Sequence, residues 1–311
     1  MHELVWRLWS RETGKKALAP LPADPGQVTL ACFGAGGRDP VWIAKIARDA
    51  AGRQRLRQER AALAQLAPWR TQLLAPGELD WQETEADACL IESGLGGRLR
   101  YWRTRRDGLR GHGGELAESV VAWIIKFQSL VAPPRAVSVR ELAAEYAAAL
   151  RSSPGKWPPP DWADALEDAS AGSEPRPAAP IHGDLWFGNC LWREGLSGIT
   201  DWCGFDAGSP LDDLLSFLIK CPARPRERHS LFRAYFFEDC ALMRQTRAWA
   251  ARLAPPPAWR LCFYLFLARR LRWEAGLANQ PRSEQERADA RAEWTPTLAW
   301  LRERRFPAPW S

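Results

Sequence analysis

Apolar and polar residues in the first hundred positions follow the spacing of β-strands. The run Gln27–Phe33 (QVTLACF) and the run 41–47 (VWIAKIA) are mostly apolar, and the glycine-rich segment FGAGGRDP between them has the length of a hairpin connection. A further apolar run at 89–91 ends shortly before a cluster of glycines. This pattern predicts a small antiparallel sheet early in the chain.

Helical spacing dominates most of the remaining chain. Leu56, Leu63 and Leu66 share one stripe of a predicted helix over 53–66. The same spacing predicts further helices at 116–131, at 139–150 and in several stretches beyond residue 229.

Two segments depart from the helical pattern. The proline-rich segment 153–180 predicts a surface excursion, and 181–202 predicts a hairpin-like pair of strands. The glycine cluster after residue 93 predicts a boundary between a sheet-based domain, 1–93, and a mostly helical domain, 94–311. The predicted fold class is therefore α+β.

Composition places the chain among ordinary globular proteins, with 46% hydrophobic and 26% charged residues. The net charge of +6 is compatible with a nucleic-acid partner, but basic and acidic residues are interleaved without long runs of one sign. We therefore expect a solvated, salt-bridged surface and no nucleic-acid partner.

The cysteines and the hydropathy pattern bear on location. The seven cysteines are scattered singly, without the pairs of a zinc site, and predict reduced thiols. Residues 1–20 hold no apolar core of the kind that a secretory signal requires, and the apolar stretch 261–268 is far shorter than the ~20 residues of a membrane span. We expect a cytoplasmic protein with no membrane partner, in which 261–268 is a buried helix.

The strongest chemical signal is the segment 181–192 (IHGDLWFGNCLW), followed after a polar turn by 198–202 (GITDW). Phosphoryl transfer needs a carboxylate that orients the attacking hydroxyl, and an Asn and a second carboxylate that hold the metal ions bridging the phosphates. Asp184, Asn189 and Asp201 fit these three functions. Asp184 and Asn189 lie five residues apart on one loop, and a short hairpin returns Asp201 beside them. Oxygen ligands without Cys or His match Mg²⁺.

These segments resemble the catalytic loop and metal-binding segment of the aminoglycoside phosphotransferase and choline kinase family. The resemblance implies a bilobal protein-kinase-like fold, with a small antiparallel-sheet N-lobe, a mostly helical C-lobe and a nucleotide between them. It also implies that Asp184 is the catalytic base, that Asn189 and Asp201 bind magnesium, and that the cofactors are ATP and Mg²⁺. His182 and Gly183 would brace the loop without reacting.

The resemblance extends upstream to a lysine and a glutamate. Lys45 is similar to the family's lysine that holds the α and β phosphates of the nucleotide, and Glu59 is similar to its helix partner. The residues themselves support this pairing. Glu59 lies on or near the apolar stripe of its helix, where an unpaired charge is unfavourable, so an inward cation such as Lys45 is expected.

Weaker similarities complete the nucleotide site. The resemblance implies that the glycine-rich turn, with Gly34, Gly36 and Gly37, approaches the nucleotide phosphates. It also implies that the end of the third predicted strand, with Glu92 and Ser93, contacts adenine through its backbone. Each feature also has a plain structural interpretation, as a hairpin loop and as a strand end. Asp213 resembles the family's structural aspartate and equally fits an ordinary first helical turn. The glycine-rich turn does not match G-x-G-x-x-G, and the metal segment lacks the glycine of protein kinases.

The expected activity is that of a small-molecule kinase, which transfers the γ-phosphate of ATP to a hydroxyl of an aminoglycoside, an amino alcohol or a sugar-like compound. A cationic acceptor predicts an acidic pocket, for which the available residues are Asp206, Asp212, Glu238, Asp239 and Glu274. A neutral sugar predicts aromatic stacking, and Trp186 and Trp192 lie beside the catalytic loop. The sequence determines neither the acceptor nor the oligomeric state.

A function without chemistry is the main alternative. A non-catalytic kinase-like module that binds ATP or a metabolite would not need to retain Asp184, Asn189 and Asp201 together. Their joint presence in the order that a kinase requires therefore favours an enzyme.

Overall fold

The computed structural model describes residues 3–5, 17–21, 26–99, 108–109, 112–152, 157–159, 161–220, 225–275 and 284–310. The chain divides into two compact units. One consists of Met1–Arg100 with Phe187–Phe205, and the other of Tyr101–Trp186 with Asp206–Ser311. The two functional domains expected from the sequence, 1–93 and 94–311, remain a prediction.

A five-stranded antiparallel sheet forms the body of the first unit. Its strands are β1 (Ala17–Leu21), β2 (Gln27–Phe33), β3 (Pro40–Ala47), β4 (Glu78–Glu83) and β5 (Ala88–Ser93). Their order across the sheet is β1-β2-β3-β5-β4. The predicted strands β2, β3 and β5 are confirmed, whereas the two edge strands were not predicted.

The central strand β3 explains how this sheet presents chemistry on one face. Because side chains alternate along a strand, Trp42, Ala44 and Ile46 point to one face, where they join an apolar cluster. Lys45 points to the opposite face and reaches the helix that follows β3. The alternation thus separates the core of the unit from a buried charged side chain.

Helix α1 (Ala50–Leu66) follows β3 and carries the predicted stripe. It begins three residues before the predicted start because the side chain of Asp49 accepts a hydrogen bond from the backbone N–H of Gly52, at 2.6 Å. Leu56, Glu59 and Leu63 are buried on its inner face. A short helix α2 (Arg70–Leu73) leads into β4.

A hairpin distant in sequence completes the first unit. It consists of β7 (Cys190–Trp192) and β8 (Leu196–Ile199), paired antiparallel. The backbone N–H of Ile199 donates to the carbonyl of Leu74, which joins the hairpin to the residue that follows α2. The strands that flank this segment, β6 (Ala179–Ile181) and β9 (Asp206–Gly208), pair with each other in the second unit.

The second unit is built around helices. They are α3 (His112–Leu130), α4 (Val139–Arg151), α5 (Asp161–Ala171), α6 (Asp212–Ile219), α7 (Pro225–Phe236), α8 (Ala241–Leu253), α9 (Trp259–Glu274) and α10 (Glu284–Glu303). Helix α9 is buried all round over 261–268 and contacts α4, α5, α6 and α10. The predicted buried helix is confirmed. No helix in the described part of the chain is both long and apolar enough to span a membrane.

The predicted surface excursion over 153–180 is wrong. The segment contains α5, which packs against α4 and α9. Trp162 is only 1% exposed and its ring lies 5.6 Å from that of Tyr264. This helix, with apolar residues at helical spacing, begins directly after a run of prolines. The prediction gave weight only to the prolines and therefore missed that spacing.

Candidate active site

A buried lysine is held by two carboxylates in the first unit. Lys45 Nζ lies 2.6 Å from Glu59 Oε1 and 3.3 Å from Glu92 Oε1. Burial alone would lower the pKa of Lys45, but the attraction of Glu59, Glu92 and Asp201 outweighs it and raises the pKa well above the ordinary value. The lysine is therefore charged, and the carboxylates around it outnumber it.

Glu92 is the less satisfied of these carboxylates. Its Oε2 is buried without a hydrogen-bond partner among the described residues. Burial raises the pKa of Glu92 to about 7, although the nearby ammonium of Lys45 opposes this shift. The sequence predicted a backbone contact with adenine here, and the side chain has a separate function as the second partner of Lys45.

The carboxylate of Glu59 also joins the lysine to the predicted metal segment. Its Oε1 accepts a hydrogen bond from the backbone N–H of Trp202 at 3.1 Å, in addition to the bond from Lys45. Trp202 is fully buried and directly follows Asp201. One buried oxygen therefore fixes the position of both the cation and the segment that carries Asp201.

Asp201 and Asn189 are brought together by the β7–β8 hairpin. The backbone N–H of Thr200 donates to the carbonyl of Asn189 at 3.0 Å, so that Asp201 follows a residue bonded to Asn189. Asp201 has φ 65° and ψ 67°, a left-handed conformation that is unfavourable for a residue with a side chain. Such strain is typical of functional positions.

The remaining predicted nucleotide residues lie at the turn after β2 and the end of β5. The backbone N–H of Gly37 donates to the carbonyl of Gly34 at 3.1 Å, and Gly36 has φ 70°, which a glycine adopts without strain. Ser93 exchanges hydrogen bonds with Gly77 through its backbone N–H and its Oγ. Contacts of these residues with phosphates or adenine stay predictions.

Asp184 lies in the second unit on a loop that Asp213 braces. The backbone N–H groups of His182 and Gly183 donate to the two carboxylate oxygens of Asp213, at 2.8 Å and 3.0 Å. His182 and Asp213 are fully buried. Burial raises the pKa of Asp213 to about 7, opposed by these two hydrogen bonds. Asp213 thus lies in the first turn of α6 and also holds the loop, so both interpretations from the sequence apply.

Lys220, which the sequence did not identify as a site residue, forms an ion pair with Asp184. Burial would raise the pKa of Asp184, but Lys220, Arg270 and His182 outweigh it and lower the pKa below the ordinary value. Asp184 is therefore ionised. Lys220 directly follows the last residue of α6 and lies 36 positions from Asp184 in the chain. The sequence contains six lysines beside 37 arginines, and this scarcity was the only signal in it that pointed to Lys220.

The profile of the phosphotransferase enzyme family matches residues 33–249. No curated protein matches the chain significantly.

Three solved structures illustrate the structural likeness. The ternary complex of a thermostable mutant of APH(4)-Ia with ADP and hygromycin B is 14% identical, with 91% of this chain and 93% of that chain covered and a TM-score of 0.57. The GDP complex of aminoglycoside 2'-phosphotransferase-IIIa is 12% identical, with 95% and 96% covered and a TM-score of 0.61. The GDP and kanamycin complex of APH(2")-IIIa is 12% identical, with 97% and 98% covered and a TM-score of 0.60. At these identities the likeness concerns the fold, and it confirms the predicted α+β kinase-like class.

Proposed function

This chain belongs to the phosphotransferase enzyme family, and from that premise we propose that it transfers the γ-phosphate of ATP to a hydroxyl group of a small molecule with the help of Mg²⁺. The observation that carries this proposal is the shared carboxylate oxygen of Glu59. It binds both the ammonium of Lys45 and the backbone beside Asp201. A cation for phosphate and a carboxylate for a metal are thereby fixed to one point.

Lys45 is proposed to bind the nucleotide phosphates. Its compact ammonium is suited to a phosphate oxygen, and the ion pair with Glu59 fixes the position of that ammonium. Because Glu92 is the weaker second partner, at 3.3 Å, we propose that the ammonium exchanges it for phosphate when nucleotide binds. Fixed charges of this kind stabilise phosphoryl transfer without having to reorganise.

Asn189 and Asp201 are proposed to hold Mg²⁺, which when bound would neutralise charge on the phosphates. Carboxylate and carboxamide oxygens are ligands that magnesium prefers. Among the described residues, no three His, Cys, Asp or Glu side chains form a metal cluster by themselves. Two protein ligands suit a metal whose remaining ligands are phosphate oxygens and water, which is how magnesium commonly binds with nucleotides.

Asp184 is proposed to orient the acceptor hydroxyl and to take its proton. The hydroxyl oxygen forms a bond to the γ-phosphorus while the bond from that phosphorus to the β–γ bridging oxygen breaks, and ADP leaves. Lys220 keeps the carboxylate ionised and fixes its direction. Only four residues separate Asp184 from Asn189 in the chain, which limits how far the proposed base and the proposed metal ligand can lie apart.

We also propose that the protein acts in the cytoplasm. The six cysteines in the described part of the chain form no disulfide. Thiols in this state are typical of a reducing compartment.

Two variants test the proposed function. Asp184→Asn should abolish phosphoryl transfer but keep the rise in melting temperature that Mg-ATP causes in the wild type, because a ligand bound to the native state stabilises it. Lys45→Met should lose that rise. Full transfer by Asp184→Asn would refute the base assignment. Nucleotide binding by the wild type without transfer to any hydroxyl compound would favour the non-catalytic module.

A further inference from the structure

Five residues surround the proposed base in the second unit and form a cluster of six with it. This Asp184 cluster consists of Asp184, Trp186, Lys220, Arg270, Trp273 and Glu274. The ammonium of Lys220 pairs with Asp184 and lies 5.8 Å from the ring centres of both tryptophans. The guanidinium of Arg270 lies 4.4 Å from the ring of Trp273 and pairs with Glu274. The proposed base is therefore bordered by two indole rings and two cations.

The two tryptophans of the cluster remain partly exposed. Trp186 and Trp273 are half-buried, as are Asp184 and Lys220. Trp192, the other tryptophan beside the catalytic loop, is buried in the first unit and has a packing function. Among the tryptophans that the structure describes, those of the Asp184 cluster thus offer accessible ring surface next to the base.

The acids that a cationic acceptor would require already have partners, except that the buried Oδ1 of Asp212 has none among the described residues. Each of the five acidic residues expected to line an acidic pocket has a basic or backbone partner: Asp206 with Arg135, Glu238 with Arg233, Asp239 with Arg244, Glu274 with Arg270, and Asp212 with the N–H of Ser209. The charges of the Asp184 cluster balance, with two cations and two carboxylates. Lys220 pairs with Asp184, and the charge of Arg270 also acts on that carboxylate, so both cations would repel an ammonium group placed beside it.

On the basis of the proposed function, we propose that the Asp184 cluster binds an uncharged polyhydroxyl acceptor, a sugar or polyol. The C–H faces of such a compound pack on indole rings, and its hydroxyl oxygens accept hydrogen bonds from cationic donors. Trp186 and Trp273 supply the rings, and Lys220 and Arg270 supply the donors. The hydroxyl nearest Asp184 receives the phosphoryl group and gives its proton to Asp184.

Matched pairs of acceptors test the charge preference. Purified protein with Mg-ATP is offered uncharged pentoses, hexoses and polyols, and D-glucose and D-galactose are each compared with the 2-amino sugar of the same configuration. Kanamycin is included as a polycation. Product is read as the mass increase of one phosphoryl group. We expect kcat/KM for the neutral member of a pair to exceed that of the amino sugar roughly tenfold or more. A preference for amino sugars or kanamycin overturns the proposal.

Trp273→Ala tests the ring contact. It should raise KM for the preferred neutral acceptor about 3- to 10-fold with little change in kcat, since an aromatic contact stabilises the bound acceptor and the transition state alike. Trp81→Ala is the matched control. Trp81 lies on β4 of the first unit, is also half-buried, and its ring centre lies 5.2 Å from the guanidinium of Arg60. An unchanged KM in Trp273→Ala overturns the ring contact.

The outcomes separate this inference from the proposed function. If Mg-ATP raises the melting temperature and the enzyme phosphorylates cationic compounds preferentially, the function stands and the acceptor class is wrong. Transfer to neither set, but to some other hydroxyl compound, also overturns the acceptor class, whereas Mg-ATP binding without transfer to any hydroxyl compound favours the non-catalytic module. If Mg-ATP neither binds nor is consumed, the proposed function itself fails.

Discussion

Replacing Lys220 by methionine removes the cation that Asp184 contacts and keeps a side chain of similar length. In the wild type, burial would raise the pKa of Asp184, and Lys220, Arg270 and His182 lower it instead. Glu274 faces Lys220 and partly offsets its charge. The variant lacks one of the positive charges that oppose the effect of burial, so the pKa of Asp184 should be higher in the variant than in the wild type.

The magnitude follows from the lost contact. A hydrogen bond to a charged group contributes about 1.5–3 kcal/mol, and about 1.4 kcal/mol corresponds to a factor of ten in rate. The value of kcat/KM should therefore fall about 10- to 100-fold at neutral pH. A general base must be ionised, so activity declines as pH falls through its pKa. A raised pKa moves this acidic limb of the profile to higher pH.

The assay is kcat/KM for the acceptor as a function of pH. Lys220→Arg keeps the positive charge, so we expect it to restore the position of the acidic limb. Lys126→Met is the control, because Lys126 is an exposed lysine on α3. A wild-type limb and a wild-type kcat/KM in Lys220→Met would refute the assigned function of Lys220 as the residue that positions and ionises Asp184.

Two further predictions concern stability. Burial raises the pKa of Glu92 to about 7, above about 4.3 in the unfolded chain. Its contribution to stability is thus present at low pH and is lost as pH rises through about 7. The Glu92→Gln variant has no carboxyl group at this position and lacks this loss. The free energy of unfolding of the variant in urea, relative to that of the wild type, should therefore increase by about 1–3 kcal/mol between about pH 5 and pH 8. Equal pH dependence in both proteins would contradict this prediction. Trp162→Ala should lower the free energy of unfolding by about 3–5 kcal/mol, because Trp162 is 1% exposed. Leu79→Ala, at a residue that is 51% exposed, is its control, and a loss below about 1 kcal/mol in Trp162→Ala would show that α5 is not part of the core.

The strands and helices with clear periodicity could be predicted from the sequence. β2 and β3 were predicted because two mostly apolar runs flank a glycine-rich segment of hairpin length, and the buried part of α9 because 261–268 is a short apolar run. β1 and β4 were missed because edge strands are half exposed and lack that contrast, and β1 also contains Pro20. α5 was missed because the prolines around it were taken as the dominant signal.

The candidate site divides in the same way. The family resemblance implied the pairing of Lys45 with Glu59, the need of a buried charge for a partner supported it, and the structure joins the two residues. The second partner, Glu92, was not foreseen because its position at a strand end gives no indication of which face it occupies. The assignments of Asp184, Asn189 and Asp201 to catalysis and metal binding rest on residue type and order, and remain proposals.

The sequence by itself determined the local chemistry of this protein, because backbone preference, alternation and a short loop act over a few residues. Tertiary structure decided which distant groups meet. Lys220 pairs with Asp184 across 36 positions, and the segment Phe187–Phe205, which contains the β7–β8 hairpin, belongs to the first unit although it lies beyond residue 180 in the chain. Such contacts depend on how helices and strands pack in three dimensions. The periodicity of apolar residues along the chain does not predict that packing.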